Sequence, residues 1–316
     1  MYVVSAGEYM RKGIAPSTLK SYDSAWLQYS GFCAVFGVSP MPVNMSVLCA
    51  FIVHCFESRK LHPSSIKALV SGIQFNVRCS EPSACSLLGS PCIRLLMNGL
   101  RKQRPETKDK RLPITLPILH MLVSNLRQGC FGPYVDVLLE SVFFTAFYGF
   151  LQCGEFTTRC ATFDPCRDLT MSDVFVASDM FTVVLKHSKT DVACRGTPIV
   201  IARTNCAFCP LSSMSWYLLC RPRATPSEPL FLTDDGKAMT RSWFAQRLRV
   251  LCARCGLSPE LYTAHCFRIG AATWASLRVP TATLKMMGRW SSSAYKRYVR
   301  PNAVDIVQAQ RSMSLL

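Results

Sequence analysis

The sequence is poor in acidic residues and contains no long apolar run. It has 19 Asp and Glu against 36 Lys and Arg, a formal net charge of +17 over 316 residues. Such an excess favours a polyanionic partner through counterion release, although a merely basic protein would have the same composition. A membrane-spanning helix needs about 20 consecutive apolar residues. The longest uncharged apolar run, residues 142–151, therefore predicts a buried helix instead.

Other common signals are also missing. There is no internal repeat and no low-complexity tract, and residues 1–8 lack the basic stretch and apolar core of a secretory signal. Most of the seventeen cysteines lie within apolar runs, as packed thiols do in a reducing compartment. We therefore expect an intracellular, soluble protein.

Two CxxC pairs raise the question of zinc. They are Cys206 with Cys209 and Cys252 with Cys255. Paired zinc knuckles usually stand about 15–20 residues apart, and the gap here is far larger. The second pair also falls within a helical pattern, whereas zinc knuckles lie on turns. We expect free thiols and no metal site, with a structural zinc as the alternative.

The first third of the sequence predicts helices. Apolar residues recur every three or four positions over residues 17–36, with Ser17 as an N-cap after Pro16. Further helices are predicted over residues 46–56, after Pro63, and from Ser90 and Pro91, a cap followed by proline at the first helical position. Residues 1–103 are therefore expected to form an all-α domain of four or five helices.

A basic segment follows this domain. Residues 101–111 contain six Lys or Arg, opposed only by Glu106 and Asp109. Together with Pro105, this charge density predicts an exposed linker, assigned to residues 104–111. The linker is either a solvated connector or a strand that crosses DNA phosphates, and we favour DNA. The DNA-binding candidates are Arg101, Lys102, Arg104, Lys108, Lys110 and Arg111.

Residues 112–316 predict a mixed domain. Short runs rich in Val, Ile and Phe at residues 173–177, 181–186 and 197–202 predict strands, and helices resume at residues 210–219 and 241–255. The fold class is thus mainly α with a small antiparallel β-sheet. Lys189 lies in the loop between the last two strands.

The last third carries the densest cluster of chemically useful residues. His265 and Arg268 are three apart, so an imidazole and a guanidinium share one helix face and can converge on a small anion. Gly288-Arg289-Trp290 follows, and Tyr298 lies eight residues past the tryptophan. This inventory suits phosphodiester chemistry through a tyrosine nucleophile.

These motifs resemble those of the tyrosine recombinase (phage integrase) family. They are most similar to the recombinases of eukaryotic mobile elements of the DIRS, Ngaro and Crypton types, over about residues 18–300. The resemblance implies a helical core-binding domain (residues 1–103) and a mixed α/β catalytic domain (residues 112–316). It also implies DNA integration or excision through a 3′-phosphotyrosyl intermediate, without metal, cofactor or ATP. The implied partner is double-stranded DNA, bound by a homo-tetramer in the nucleus, with neither a membrane nor a small-molecule substrate.

The resemblance also assigns roles to individual residues. Arg268 would hold the scissile phosphate through paired N–H donors. His265 would donate to a non-bridging oxygen or relay a proton. Lys189 would protonate the leaving 5′ oxygen, unless it is only a solvated turn lysine. Trp290 would bond a phosphate oxygen or support the tyrosine, and it also fits a buried core position. The predicted nucleophile is Tyr298 with Tyr295 as the alternative, and Arg289 is a further DNA-binding candidate.

One position departs from the family pattern. The sequence Tyr148-Gly149-Phe150-Leu151-Gln152-Cys153-Gly154-Glu155 resembles the first arginine motif, with glutamine in the arginine position. Losing one preorganised donor costs about 3 kcal/mol, or about 10²- to 10³-fold in rate. Glu155 would then lack its partner, and Arg159 would have to reach back to replace it. We expect an impaired recombinase. The alternatives are a non-catalytic DNA-binding protein derived from one and a topoisomerase-like nicking and closing enzyme.

Overall fold

The structure is a computed structural model that describes residues 2–105, 109–158, 162–186, 196–222 and 225–300, with Val307, Gln310 and Arg311. The chain divides into two compact units, Met1–Asp109 and Lys110–Leu316, each with its own apolar core. Among the described residues, no helix has both the length and the apolar character needed to cross a membrane.

The first unit is built from helices. They are α1 (Tyr2–Lys12), α2 (Pro16–Val35), α3 (Met45–Glu57), α4 (Pro63–Ser80) and α5 (Pro91–Gln103). Proline begins three of them, where its fixed φ and missing N–H suit the first helical position. The predicted cap at Ser17 is wrong, because Pro16 already begins α2 and makes Ala15 the N-cap.

Helix α4 is the centre of the first unit and contacts the other four helices. Its crossing with α2 is close at Gly72, where a Cβ would lie 2.7 Å from the Cβ of Ala25. Phe51, Ile66 and Ile73 are fully buried in the core of this unit. Removal of their apolar surface from water is the main term that stabilises such a helical unit.

The predicted basic linker begins later than the charge pattern indicates. Arg101 and Lys102 lie in the last turn of α5, where cations are favoured by the helix dipole. Arg104 caps the helix, donates to the Lys60 carbonyl (2.9 Å) and stacks over the Phe56 ring (4.7 Å). Arg101 and Lys102 therefore belong to the last helix of this unit, and Arg104, the first residue of the predicted linker over residues 104–111, caps that helix.

The second unit combines helices with one small sheet. Its helices are α6 (Leu116–Arg127), α7 (Pro133–Tyr148), α8 (Cys153–Phe156), α9 (Pro210–Cys220), α10 (Arg241–Arg254), α11 (His265–Ser276) and α12 (Thr281–Met287). Short 3₁₀ segments cover Met171–Asp173, Pro259–Leu261 and Ser293–Arg297. Helix α7 is buried along most of its length and contacts α6, α8, α9 and α11. Most of the apolar run at residues 142–151, which predicted a buried helix, lies in α7.

The sheet confirms the prediction of three antiparallel strands. Strands β1 (Val174–Val176), β2 (Met180–Leu185) and β3 (Thr197–Ala202) pair in the order β1-β2-β3. Alternate residues of β2, namely Phe181, Val183 and Leu185, are buried. One face of the sheet thus joins the core of the second unit, as the period of two requires.

Both CxxC pairs lie beside helix ends. Cys209 immediately precedes α9, and Cys255 caps α10. Burial raises the pKa of Cys252 to about 12. Burial also raises the pKa of Cys209, but hydrogen bonds from Ser212 and Thr204 outweigh it and lower that pKa to about 7. Within the described ranges, no group of three or more His, Cys, Asp or Glu could hold a metal ion.

Candidate active site

The turn between α7 and α8 has a constrained backbone. A Cβ on Gly149 would approach the Thr145 carbonyl oxygen to 2.7 Å. Phe150 follows with φ of +51°, a left-handed conformation that is uncommon for a bulky side chain. Its carbonyl oxygen accepts hydrogen bonds from the guanidinium groups of both Arg268 and Arg289. The turn therefore supplies one acceptor that two arginines share.

The start of α11 carries the predicted histidine and arginine. His265 and Arg268 lie one turn apart on this helix, as their spacing predicts. A Cβ on Gly270 would lie 1.7 Å from the Ile114 carbonyl oxygen, so only glycine permits this approach. The Ile114 N–H donates to the Cys266 carbonyl (3.0 Å) and fixes the same contact.

Arg268 is deeply buried. Its side chain is 4% exposed, and it donates to the carbonyls of Phe150 and Gly288, the latter at 2.8 Å. Its Nε–H is buried without a hydrogen-bond partner in the described part of the chain. Burial lowers the pKa of Arg268, as does Arg289, while Glu155 raises it. The guanidinium still carries its charge at neutral pH, because arginine is not deprotonated in proteins.

Glu155 is the acidic partner that two arginines share. Its Oε2 lies 2.8 Å from Nη2 of Arg289 and 3.9 Å from Nη1 of Arg268, and it accepts the Gln152 backbone N–H at 2.7 Å. The expectation that Glu155 lacks a partner is wrong, because Arg289 reaches it from the loop after α12. Arg159, the replacement considered from the sequence, lies outside the described residues.

Arg289 reaches Glu155 through an unusual backbone conformation. Its φ is +56°, again left-handed, and its Nη1 donates to the Gly149 carbonyl at 2.9 Å. The preceding Gly288 has no room for a side chain, since a Cβ would lie 1.9 Å from the Trp290 ring. Predicted as a DNA-binding residue, Arg289 thus lies beside Arg268 with only 10% of its side chain exposed.

Three predicted residues surround the ring of Tyr298. The ring centroids of His265 and Trp290 each lie 5.2 Å from its own, and Cζ of Arg268 is 5.2 Å from it. Thr273 Oγ1 donates to the Tyr298 carbonyl at 3.1 Å and ties this segment to α11. A phenol, an imidazole, an indole and a guanidinium therefore share one half-buried site.

The competing Tyr295 lies farther from the cluster. It is part of the Ser293–Arg297 3₁₀ segment, and its ring centroid is 6.3 Å from that of Trp290. Within the described residues, it has no ring contact with His265 or cation–π contact with Arg268. Of the two tyrosines, Tyr298 is therefore the one that lies against both His265 and Arg268.

The predicted lysine cannot be placed. Lys189 and Lys108 lie outside the described residues. Lys186, which directly follows β2, is 2.7 Å from Asp173 Oδ2 and donates to Thr170 Oγ1 at 2.9 Å. These contacts give Lys186 a structural role and leave Lys189 as the lysine candidate.

The basic candidates near the unit boundary differ in exposure. Lys102 and Lys110 are exposed, Arg101 donates to Asn98 at 2.8 Å, and Arg111 is half-buried. The Arg111 carbonyl accepts a hydrogen bond from the Arg300 guanidinium. The two exposed lysines are therefore the more accessible candidates for phosphate contacts.

Sequence reasoning missed the pairing of Arg289 with Glu155. The signal in the sequence was that Gln152 leaves Glu155 without the arginine expected at position 152, while Arg289 stands next to Trp290. The sequence gives no measure of their proximity, because they are 134 positions apart.

Solved structures with a similar fold are site-specific recombinases and integrases. The XerH recombinase bound to a palindromic difH substrate in a post-cleavage complex has 13% identity and a TM-score of 0.62, over 92% of this chain and 78% of that one. The Tn1549 transposon integrase in complex with transposon right end DNA has 13% identity and a TM-score of 0.58, over 89% and 88%. A lambda integrase tetramer bound to a Holliday junction has 14% identity and a TM-score of 0.54, over 92% and 78%.

These similarities show that the chain has the tyrosine recombinase fold. Comparisons with protein-family models and with curated proteins find no match.

Proposed function

We propose that this protein is a DNA strand-breaking and rejoining recombinase of a mobile element. The observation that carries the proposal is the convergence of Arg268, His265 and Trp290 on Tyr298. The recombinase fold and the net charge of +17 support it, because the charge favours binding to a polyanion.

The geometry suggests a division of labour. Tyr298 Oη, deprotonated to the phenolate, attacks the scissile phosphorus, so that a P–O bond to tyrosine forms and the P–O5′ bond breaks. Arg268 holds the non-bridging oxygens through charge-assisted hydrogen bonds. The imidazole of His265, packed on the tyrosine ring, donates to the phosphate or relays a proton. The resemblance of the motifs assigns to Lys189 the proton that the leaving 5′ oxygen receives. The phosphotyrosyl bond retains the energy of the broken one, so no ATP is needed.

Gln152 favours a second candidate function. Glutamine supplies no charge, and loss of one donor to a developing oxyanion costs about 3 kcal/mol. We propose that the reaction is slower than in a recombinase with arginine at this position. The alternative is a non-catalytic DNA-binding protein derived from a recombinase, which would use the same basic surfaces without cleavage.

We also propose a homo-tetramer on two synapsed double-stranded DNA sites, located in the nucleus. A tetramer is supported by the fold shared with a lambda integrase tetramer bound to a Holliday junction. The mobile element and the nuclear location rest on the resemblance of the motifs to DIRS, Ngaro and Crypton recombinases.

A suicide-substrate assay tests the proposal. Binding sites are first selected from a random duplex library, and duplexes nicked at successive positions are then incubated with the protein. We expect a covalent protein–DNA adduct on denaturing gels that Tyr298→Phe abolishes and Tyr295→Phe retains. Sequence-selective DNA binding without any adduct would favour the non-catalytic alternative.

A further inference from the structure

Among the described residues, the two arginines of the site carry more positive charge than its carboxylate neutralises. The carboxylate of Glu155 is 8% exposed and is shared by Arg268 and Arg289, whose side chains are 4% and 10% exposed. One negative and two positive charges leave a net charge of +1 in a largely buried cluster. Buried charges are costly unless they are paired, so this cluster favours a bound anion.

The two guanidinium groups, hereafter the arginine pair, also retain hydrogen-bond donors. The Nε–H of Arg268 is buried and unpartnered within the described residues. Contacts of Arg289 in the same part of the chain use three of its five N–H groups, toward Gly149, Phe150 and Glu155. Paired N–H donors from planar guanidinium groups match the oxygens of a phosphate. A phosphodiester carries one negative charge, which equals the excess charge of the cluster.

We propose that Arg289 replaces the arginine absent from position 152, and that it binds the same DNA phosphate as Arg268. The choice of a phosphodiester as the anion rests on the recombinase function proposed above. The Glu155 carboxylate orients Arg289 through its Nη2, and the Gly149 carbonyl accepts a hydrogen bond from its Nη1. The charge lost at Gln152 is thereby supplied from the loop after α12, and much of the loss in rate expected from glutamine is offset.

The backbone supports this assignment. Arg289 and Phe150 both have left-handed φ values, +56° and +51°, and they are joined by the hydrogen bond from Arg289 Nη2 to the Phe150 carbonyl. Residues other than glycine that are held in this region tend to cluster at functional sites. Phe150 is also a buried core residue, and its carbonyl oxygen is one of the groups that hold the Arg289 guanidinium beside Glu155.

The first test measures anion binding without any chemistry. Thermal unfolding is followed in sodium sulfate and in sodium chloride of equal ionic strength, and the sulfate dissociation constant is derived from the shift in Tm. We expect Arg289→Gln to weaken sulfate binding about tenfold or more, since charge-assisted hydrogen bonds are lost. Arg289→Lys should have an intermediate effect. The double variant Gln152→Arg/Arg289→Gln should regain binding.

Arg127→Gln is the matched control. Arg127 also pairs with a glutamate, Glu140, at 2.6 Å and also donates to a carbonyl, that of Ala207 at 3.0 Å. It lies outside the arginine pair, so its replacement should leave sulfate binding unchanged. A folded Arg289→Gln protein that binds sulfate like the unaltered protein would overturn the proposal.

The second test uses the suicide-substrate assay. Arg289→Gln should slow adduct formation about 10²- to 10³-fold, and the double variant should restore most of the rate. Gln152→Arg alone should raise the rate less than about tenfold; a gain of about 10²-fold would show that Arg289 does not fill the role. Sulfate binding that depends on Arg289, with no adduct from any variant, would keep this inference and reject the recombinase function. An adduct that forms at the same rate in Arg289→Gln would keep the recombinase function and reject this inference.

Discussion

Replacing Glu155 by glutamine should destabilise the second unit much more than an ordinary broken ion pair. Glutamine keeps the shape of the side chain and one acceptor oxygen, but it leaves Arg268 and Arg289 without their counter-charge. The arginine side chains are 4% and 10% exposed and the carboxylate 8%. Removing one partner of a buried pair costs about 3–5 kcal/mol. We expect a loss in the free energy of unfolding within that range.

The matched control is Glu140→Gln. Its partner Arg127 is 40% exposed and lies 2.6 Å away, so water screens the charge that remains. Pairs with an exposed partner contribute about 0–1 kcal/mol, and this pair should lie at the upper end of that range because Glu140 is 13% exposed and accepts two hydrogen bonds from Arg127. The two glutamate-to-glutamine changes should therefore differ by at least about 2 kcal/mol, although each breaks one close ion pair.

Urea denaturation followed by circular dichroism and tryptophan fluorescence measures both variants. Sulfate that binds to the arginine pair should restore part of the free energy of unfolding lost in Glu155→Gln. The unaltered protein is titrated with sulfate in parallel, so that this gain can be compared with its own response to sulfate. Equal losses for Glu155→Gln and Glu140→Gln would refute the view that Glu155 balances buried charge.

Three further predictions concern packing and thiol chemistry. Gly270→Ala should cost about 3 kcal/mol or more in a thermal denaturation, because its Cβ would lie 1.7 Å from the Ile114 carbonyl oxygen and backbone must move. Gly99→Ala, a helical glycine with nothing within 4 Å, should instead stabilise the first unit by about 0.5–1 kcal/mol, and a loss would contradict this. Alkylation of Cys209, which is 5% exposed, by iodoacetamide should rise through pH about 7, where its thiolate forms, while Cys252, fully buried and with a pKa of about 12, should stay unmodified up to pH 9. Mass spectrometry of modified peptides measures both rates, and equal pH profiles would contradict the difference.

Local features of the fold could be predicted from the sequence, because they depend on neighbouring residues. Proline at helix starts, the period of two in the strands and the His-x-x-Arg spacing all act within one or two turns. The error at Ser17 has the same local origin. Because the fixed φ of proline suits the first helical position, Pro16 begins α2, and Ser17 lies inside the helix and is not its N-cap.

The arrangement of the site could be predicted only in part. The sequence indicated that His265 and Arg268 share a helix face, but no spacing rule links Arg289 to Glu155 across 134 positions. Their contact depends on left-handed conformations at Phe150 and Arg289, which propensities disfavour at residues other than glycine. Tertiary structure decides such conformations.

The most direct test of the central claim is to map the residue that becomes linked to DNA. Protein incubated with a nicked suicide duplex is digested with trypsin and nuclease, and the nucleotide-bearing peptide is identified by mass spectrometry. The recombinase proposal predicts a 3′-phosphotyrosyl bond on Tyr298. A nucleotide on Tyr295, or sequence-selective binding with no linked peptide at any nick position, would contradict it.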